Sequence, residues 1–178
     1  MAMAWCAGSR AGAALQLGLL ALALAAAAPS PAGAPDALIG RAAPDFALRA
    51  AAGENVRLSE HRGEVVVLSF WSSRCTPCRT QLSALSRSLA TYRSAGLAIY
   101  GVGVEDDTAR ALRFAHSAGV GFALLLDPAK AVSRDYQVDS LPMTIMIDRN
   151  GTVRYVLRDH SSASDALYLQ QLRTLLNE

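Results

Sequence analysis

Beyond residue 40 the chain alternates apolar runs with polar joints that carry glycine or proline. Val65–Trp71, VVVLSFW, is apolar except at Ser69 and rich in β-branched residues, which predicts a strand covered on both faces. Leu82, Leu85, Leu89 and Tyr92 follow at helical spacing, so a helix is predicted from about Pro77 to Arg93, ended by Gly96. Leu97–Val104 predicts a second buried strand, and strand, helix, strand with short joints is a right-handed unit with parallel strands. A second helix is expected over Thr108–Ala118, with Leu112 and Ala115 inward and Gly119 as its stop. A short strand over Phe122–Leu126 and one or two helical turns over Ala129–Tyr136 come next. Met143–Asp148 and Thr152–Leu157 flank Arg149-Asn150-Gly151 and predict a hairpin. Ser164 is the expected cap of a last helix that buries Leu167, Leu172, Leu175 and Leu176. Ahead of the central unit, Phe46–Arg49 and Val56–Leu58 flank Gly53-Glu54 as a weak hairpin, and Ser59 is placed to cap a short turn ending at Gly63. The fold expected is α/β: a central mixed β-sheet with helices on both faces, preceded by an N-terminal β-hairpin.

The first forty residues follow another pattern. Ala11–Ala28 has no charge and is mostly Ala and Leu, with Arg10 before it and PSPAGAP after it. A basic start, an apolar middle and a small-residue tail are the layout of a secretory signal, and Ser30 and Ala32 suit cleavage after residue 32. The apolar run is also long enough to span a bilayer, so residues 1–32 read as a signal peptide or as an N-terminal membrane anchor through residues 11–28. Either one sends the domain across the membrane, to the periplasm or an equivalent exported space, soluble or tethered to the outer face of the cytoplasmic membrane. Cys6 precedes the apolar run and so is not placed for lipidation. Residues 33–41 read as a linker and 42–178 as one domain; no internal repeat is present.

With Arg10 as the leader's only charge, the remaining 146 residues carry 16 basic and 15 acidic side chains. That balance excludes a nucleic-acid binder, whose affinity rests on neutralising phosphates. Without the leader only Cys75 and Cys78 remain of three cysteines. A bridge between them closes too short a loop to staple a fold, because disulfide stabilisation grows with loop length. Zinc asks for about four ligands, and His61, His116 and His160 are scattered singly.

A redox role has a mechanism. Cys75 falls between a buried strand and a helix start, where unsatisfied N–H groups and the helix dipole favour a thiolate, and Arg74 adds a cation beside it. Cys78, one turn further in, is placed to attack a mixed disulfide at Cys75 and release the product. Pro77 suits the first helical turn, where its missing N–H costs nothing. Cys75-Thr76-Pro77-Cys78 beside a βαβ pattern therefore reads as a redox couple.

On these residues the chain resembles a thioredoxin-fold protein, and more narrowly the exported TlpA/ResA/CcmG-like thiol–disulfide oxidoreductases. APDFAL (Ala43–Leu48) is similar to that family's opening strand. LSEHRGEVVVLSFWSSRCTPCRTQL, which includes Trp71, resembles its central strand and active site, and SLPMTIMIDRNGTV its cis-proline segment and hairpin. The resemblance implies that Pro142 is cis and faces the cysteine pair, and that Leu141 offers its backbone to the bound substrate. It implies no cofactor beyond the two sulfurs, and protein thiols or disulfides as substrates. It points to reduction, with apocytochrome c or copper-site cysteines as candidate targets and a membrane thiol donor to recycle the protein.

Three positions depart from that pattern. The family usually has Glu three residues after the second cysteine, where this chain has Gln81; thioredoxins proper have a buried Asp in the central strand, where this chain has Ser69. Either acid would help deprotonate the resolving thiol. Glu105, at the end of the second parallel strand, is the nearest substitute, although Glu105-Asp106-Asp107 also reads as a solvated acidic loop. Arg74 replaces the aromatic residue common before the first cysteine. Two rivals use the same cysteines. A Cu(I) metallochaperone would add Met143 or a histidine to the two soft thiolates, but copper-assembly relatives space their cysteines one residue wider. A peroxiredoxin-like peroxidase would need Thr and Pro where this chain has Ser72 and Leu68.

Overall fold

The computed structural model describes residues 36–158 and 161–178. The predicted leader with Cys6, the start of the predicted linker, and His160 lie outside the described residues. In chain order the elements are β1 Ala47–Ala50, β2 Asn55–Arg57, β3 Val65–Trp71, α1 Thr76–Tyr92, β4 Leu97–Gly103, α2 Thr108–Ala118, β5 Leu124–Leu126, α3 Ala131–Asp135, β6 Met143–Ile147, β7 Val153–Leu157 and α4 Ser162–Leu176. The strands make one sheet in the order β2-β1-β5-β4-β3-β6-β7. β3, β4 and β5 are parallel; β6 and β7 continue one side antiparallel, and β1 closes antiparallel on β5. The expected N-terminal hairpin is present as β1 and β2. Arg49 and Ala50 pair with Leu126 and Leu125, which makes the hairpin the far edge of the sheet.

All seven residues of β3 are buried, because both its neighbours and both its faces are covered. Val65 and Val67 pack with Leu85 and Leu89 of α1 and Tyr168, Leu172 and Leu175 of α4. Trp71 packs with Leu82 of α1 and with Ala111 and Phe114 of α2. Val66, Leu68 and Phe70 point to the opposite layer, built from α3 (Val132), the following Tyr136, and Leu38 and Phe46 of the N-terminal segment. The period-two alternation of a strand divides one apolar run between two cores.

Several local expectations shift by one residue or one partner. In α2 the buried pair is Ala111 and Phe114 rather than Leu112 and Ala115. Stacking of Phe114 on Trp71, with ring centroids 4.7 Å apart, sets the helix rotation. α4 is capped by Ser161, whose Oγ accepts from the Ser164 N–H, while Ser164 closes the box from the third position. Its inner stripe is then Tyr168, Leu172 and Leu175, and Leu167, one position off that stripe, is exposed. Ser59 caps nothing: Arg57 occupies the N-cap of the 3-10 turn Leu58–His61, and the Ser59 N–H and hydroxyl both bond the Asp45 carboxylate. Residues 36–41, read as the end of a linker, belong to the domain. Leu38 is buried in the core, the Gly40 N–H donates to the Val153 carbonyl, and the Arg41 carbonyl accepts from the Val153 N–H.

Candidate active site

β3 ends at Trp71 and α1 begins at Thr76, so Ser72–Cys75 form a four-residue joint at the carboxyl edge of the sheet. Cys75 is the N-cap of α1 and has extended backbone angles. Its Sγ accepts a hydrogen bond from the Cys78 N–H at 3.2 Å. This is the orphan donor of a helix start used on sulfur, the interaction that favours a thiolate once the pair is reduced. Thr76 and Pro77 are exposed in the first turn. Cys75 and Cys78 are joined by a disulfide, with their Cα atoms 5.3 Å apart. The two sulfurs are not equivalent: Cys75 is half-buried, whereas Cys78 has no exposed surface. An incoming disulfide can reach only the first.

The Leu141–Pro142 peptide is cis, and Pro142 is buried. Met143 pairs with Phe70 across β6 and β3, so register places Pro142 beside Trp71, where the cysteine loop leaves the sheet. Leu141 is partly buried and packs against the same cluster as Cys75, a cluster that includes Trp71, Cys78 and Leu82. The Trp71 ring lies over the glycines of β4. A Cβ on Gly103 would sit 2.7 Å from its six-membered ring, so a side chain there would displace the floor of the site. Arg79 covers the Trp71–Phe114 stack, its guanidinium carbon 4.7 Å from the centre of the Phe114 ring.

The two departures from the acidic pattern prove to be one structure. Ser69 of β3 and Thr144 of β6 are register partners, and the Gln81 side chain of α1 bridges them. The Ser69 hydroxyl donates to Gln81 Oε1 at 2.9 Å, and Gln81 Nε2 donates to Thr144 Oγ1 at 2.7 Å. All three residues are buried. Gln81 lies one turn beyond Cys78 on the inward face of α1, so a neutral, hydrogen-bonded amide occupies the place beneath Cys78. A cavity of about 360 Å³ between α1 and α4 is lined in part by Gln81 and Thr144 and by neither cysteine.

Glu105 is not a solvated acid. It is buried just past β4, where the Val104 N–H bonds the Trp71 carbonyl and carries the pairing past the strand end. Its Oε1 accepts from the Ser73 hydroxyl at 2.5 Å and the Ser72 hydroxyl at 3.4 Å; its Oε2 is buried without a hydrogen-bond partner. The carboxylate is therefore fastened to the loop that leads into Cys75. Its partners are the two serines, and no hydrogen bond links it to Cys78. Arg74 is exposed and, with Glu105, Asp106, Asp107, Arg110 and Lys130, lines a cleft of about 180 Å³ beside that loop.

Two of the third ligands considered for copper are engaged elsewhere. Met143 is fully buried and its sulfur accepts from Arg158 Nη1 at 3.4 Å; His61 Nδ1 lies 2.7 Å from the Glu64 carboxylate and Nε2 lies 2.8 Å from the Tyr100 hydroxyl. Among the described residues no group of three or more His, Cys, Asp or Glu side chains could hold a metal ion. Thr144, Ser72 and Ser73 are parts of the site that sequence reasoning missed. Thr144 carries no signal of its own, because its role follows from strand register, whereas the Ser72-Ser73 pair beside the cysteines could have been weighed as a partner for Glu105.

Residues 39–156 match the AhpC/TSA family. The thiol-disulfide oxidoreductase ResA of Geobacillus kaustophilus is 32% identical over 127 residues, which span 71% of this chain and 73% of that relative. ResA of Bacillus subtilis is 32% identical over 114 residues, 64% of each chain. Among solved structures, a Chlorobium tepidum protein assigned as the thiol:disulfide interchange protein DsbE superposes with a TM-score of 0.74 at 33% identity, covering 78% of this chain and 97% of its own. The solution structure of a Bacteroides thetaiotaomicron protein assigned as a protein disulfide isomerase gives 0.72 at 30% identity, over 79% and 91% of the two chains. With the sheet order, the cysteine pair at the start of α1 and the cis-proline beside it, these likenesses make the chain a member of the AhpC/TSA family with a thioredoxin-like fold and the activity of a thiol–disulfide oxidoreductase.

Proposed function

We propose that this enzyme reduces disulfides in other proteins outside the cytoplasm, with Cys75 as nucleophile and Cys78 as resolving thiol. The observation that carries the assignment is the asymmetry of the pair: Cys75 is accessible at a helix N-cap and Cys78 is fully buried one turn in. In the reduced protein the Cys75 thiolate attacks one sulfur of the substrate disulfide. A mixed disulfide forms, and the other substrate sulfur leaves as a thiolate that takes up a proton. Cys78, once deprotonated, attacks the Cys75 sulfur, re-forms the Cys75–Cys78 bond and expels the second substrate sulfur. Two electrons have then passed to the substrate, and a dithiol donor must restore the pair. No cofactor enters the exchange. Pro142 shapes the groove, Leu141 presents its backbone to the substrate, and Arg74 forms the exposed shoulder.

Cytochrome c maturation or copper-site assembly is the process proposed, with a membrane thiol donor. The support is the likeness to ResA and DsbE and the charge-free segment 11–28, which reads as an export signal or an anchor. Among the described residues no helix is long and apolar enough to cross a membrane.

The test is a pair of serine variants. Cys75→Ser should abolish exchange with protein disulfides, and Cys78→Ser should accumulate a stable mixed disulfide, read by mass spectrometry of the intact adduct. If the reduced wild type is alkylated at Cys78 and not at Cys75 near neutral pH, the roles are reversed. A measured potential near thioredoxin's, about −270 mV, supports a reductant, and one near about −120 mV an oxidant.

A further inference from the structure

We propose that Arg158 is a positioning residue for the substrate groove, gripping both flanks of the Leu141–Pro142 peptide with one guanidinium. The proposal rests on the reading of Leu141 as the backbone that receives a protein substrate.

Arg158 immediately follows β7, and Leu157 pairs with Thr144, so register brings Arg158 to the start of β6 and the cis-proline loop that feeds it. Its Nη1 donates to Asp139 Oδ1 at 2.6 Å and to Met143 Sδ at 3.4 Å, and reaches the Gln137 carbonyl at 3.5 Å. Its Nη2 donates to Asp36 Oδ2 at 2.5 Å. Asp139 stands two residues before Leu141, and Met143 directly follows Pro142. One rigid planar group therefore bonds the chain on both sides of the cis peptide and ties it to the N-terminal turn. Gln137, where the loop begins, has a left-handed backbone, φ 52°, a conformation that holds only when its surroundings enforce it.

The charges fit the task. The hydroxyl of Ser140, and after it the Arg158 cation, hold the Asp139 carboxyl below its ordinary range, which favours the charged form that the guanidinium binds. The Asp36 side chain is only 12% exposed, and the Asp139 side chain is 66% exposed. The link to Asp139 is therefore solvent-screened and adds little to global stability. What it contributes is geometry: a planar fork reaches several acceptors at once, which the single ammonium of a lysine does not. A protein disulfide must align its backbone with Leu141 before its sulfur meets Cys75. A small aromatic disulfide needs no such alignment.

The experiment compares reduced wild type, Arg158→Gln, Arg158→Lys and Asp139→Asn in two reactions: reduction of the disulfides of insulin, and of 5,5′-dithiobis(2-nitrobenzoate). Alkylation of Cys75 by iodoacetamide and thermal melting are recorded alongside. The expected result is a fall of about ten-fold in the second-order rate with insulin for Arg158→Gln, and a smaller fall in the same direction for Arg158→Lys and Asp139→Asn. Rates with the small disulfide and with iodoacetamide should stay within about two-fold. Equal losses in both reactions would make Arg158 a general structural residue and overturn the proposal. So would an unchanged insulin rate in all three variants while the wild type is active. A wild type unable to reduce insulin, yet reactive with the small disulfide, would overturn the groove reading itself, and the role of Arg158 with it. Asp139→Asn alters a largely exposed side chain, so it keeps the test decisive if an Arg158 variant fails to fold.

Discussion

Two buried polar groups flank the cysteine pair, and they are finished to different degrees. Beneath Cys78, Ser69, Gln81 and Thr144 form a neutral chain in which both polar atoms of the Gln81 amide are bonded. Beside the loop that leads to Cys75, the Glu105 carboxylate is bonded on one oxygen and bare on the other, next to an open cleft. A closed network specifies packing, whereas a half-closed one keeps a charge in reserve at a cost. On this contrast we propose that the first serves packing and the second the rate of exchange.

The largest expected effect comes from opening the closed network. Gln81→Leu would leave the Ser69 and Thr144 hydroxyls without their bridging partner and should cost about 2–3 kcal/mol in urea unfolding, with little change in the denaturant slope. The rate of Cys75 alkylation should hardly move. A loss below about 0.5 kcal/mol would show that the network contributes nothing to packing.

Gln81→Glu sharpens the comparison by putting a carboxyl where this chain has an amide. Burial disfavours the charged form, so the folded-state pKa of the introduced group should rise above its unfolded value of about 4.3. The folded state then holds the proton longer than the unfolded state, and stability should fall as pH rises from about 4.3 through the raised pKa, by about 1.4 kcal/mol for each pH unit that separates the two values. The same carboxyl raises the Cys78 thiol pKa but brings a base within reach of its proton. Because relatives use such an acid, the expected net result is faster resolution of the mixed disulfide near pH 7. Stopped-flow exchange across pH, with urea melts at the same pH values, reads both effects; a flat difference between variant and wild type in both would refute the placement of Gln81 under Cys78.

On the proposal that Glu105 acts on Cys78 through water, Glu105→Gln should slow resolution of the mixed disulfide by a few-fold, about 3–5. Stability should change little, since the charge lost is only half bonded. An unchanged rate would mean that Glu105 is not the base that serves Cys78. The smallest effect is expected of Ser73→Ala, which removes the shorter of the two bonds to Glu105 Oε1 and should cost about 0.5 kcal/mol while the rate with small disulfides is kept. A rate loss larger than that of Glu105→Gln would shift the weight from the carboxylate to the loop.

Much of the site was legible because its signals are local. Cys75 and Cys78 sit between an apolar run and an amphipathic helix, and that succession alone puts one sulfur at a helix cap and the other a turn inside. The central strand, both joints of the βαβ unit and the last hairpin follow from runs and turn residues in the same way. What was misread depends on rotation or on distant partners. Leu112 and Phe114 are both apolar on α2, and only the ring of Trp71 selects Phe114. Leu167 and Tyr168 compete on α4, and the choice follows the true cap at Ser161. Ser59 carries the right chemistry for a cap but finds Asp45, fourteen residues away, instead. Glu105 lies in an acidic triplet that looks solvated, and its burial is visible only once β4 is set beside β3.

Sequence by itself determined the class of chemistry and the order of elements, since helix, strand and cap preferences act over a few residues and the cysteine spacing is covalent. It also determined that no acid stands at positions 69 and 81. Tertiary structure decided what stands there in its place. The register of β6 on β3 set Thr144 opposite Ser69, the rotation of α1 lowered Gln81 between them, and the return of β7 carried Arg158 to the flanks of Pro142. Contacts of that kind join residues as much as 63 and 122 positions apart, and no local preference encodes them. They exist because a buried donor or acceptor must find a partner, and in a packed interior the nearest one is chosen by packing.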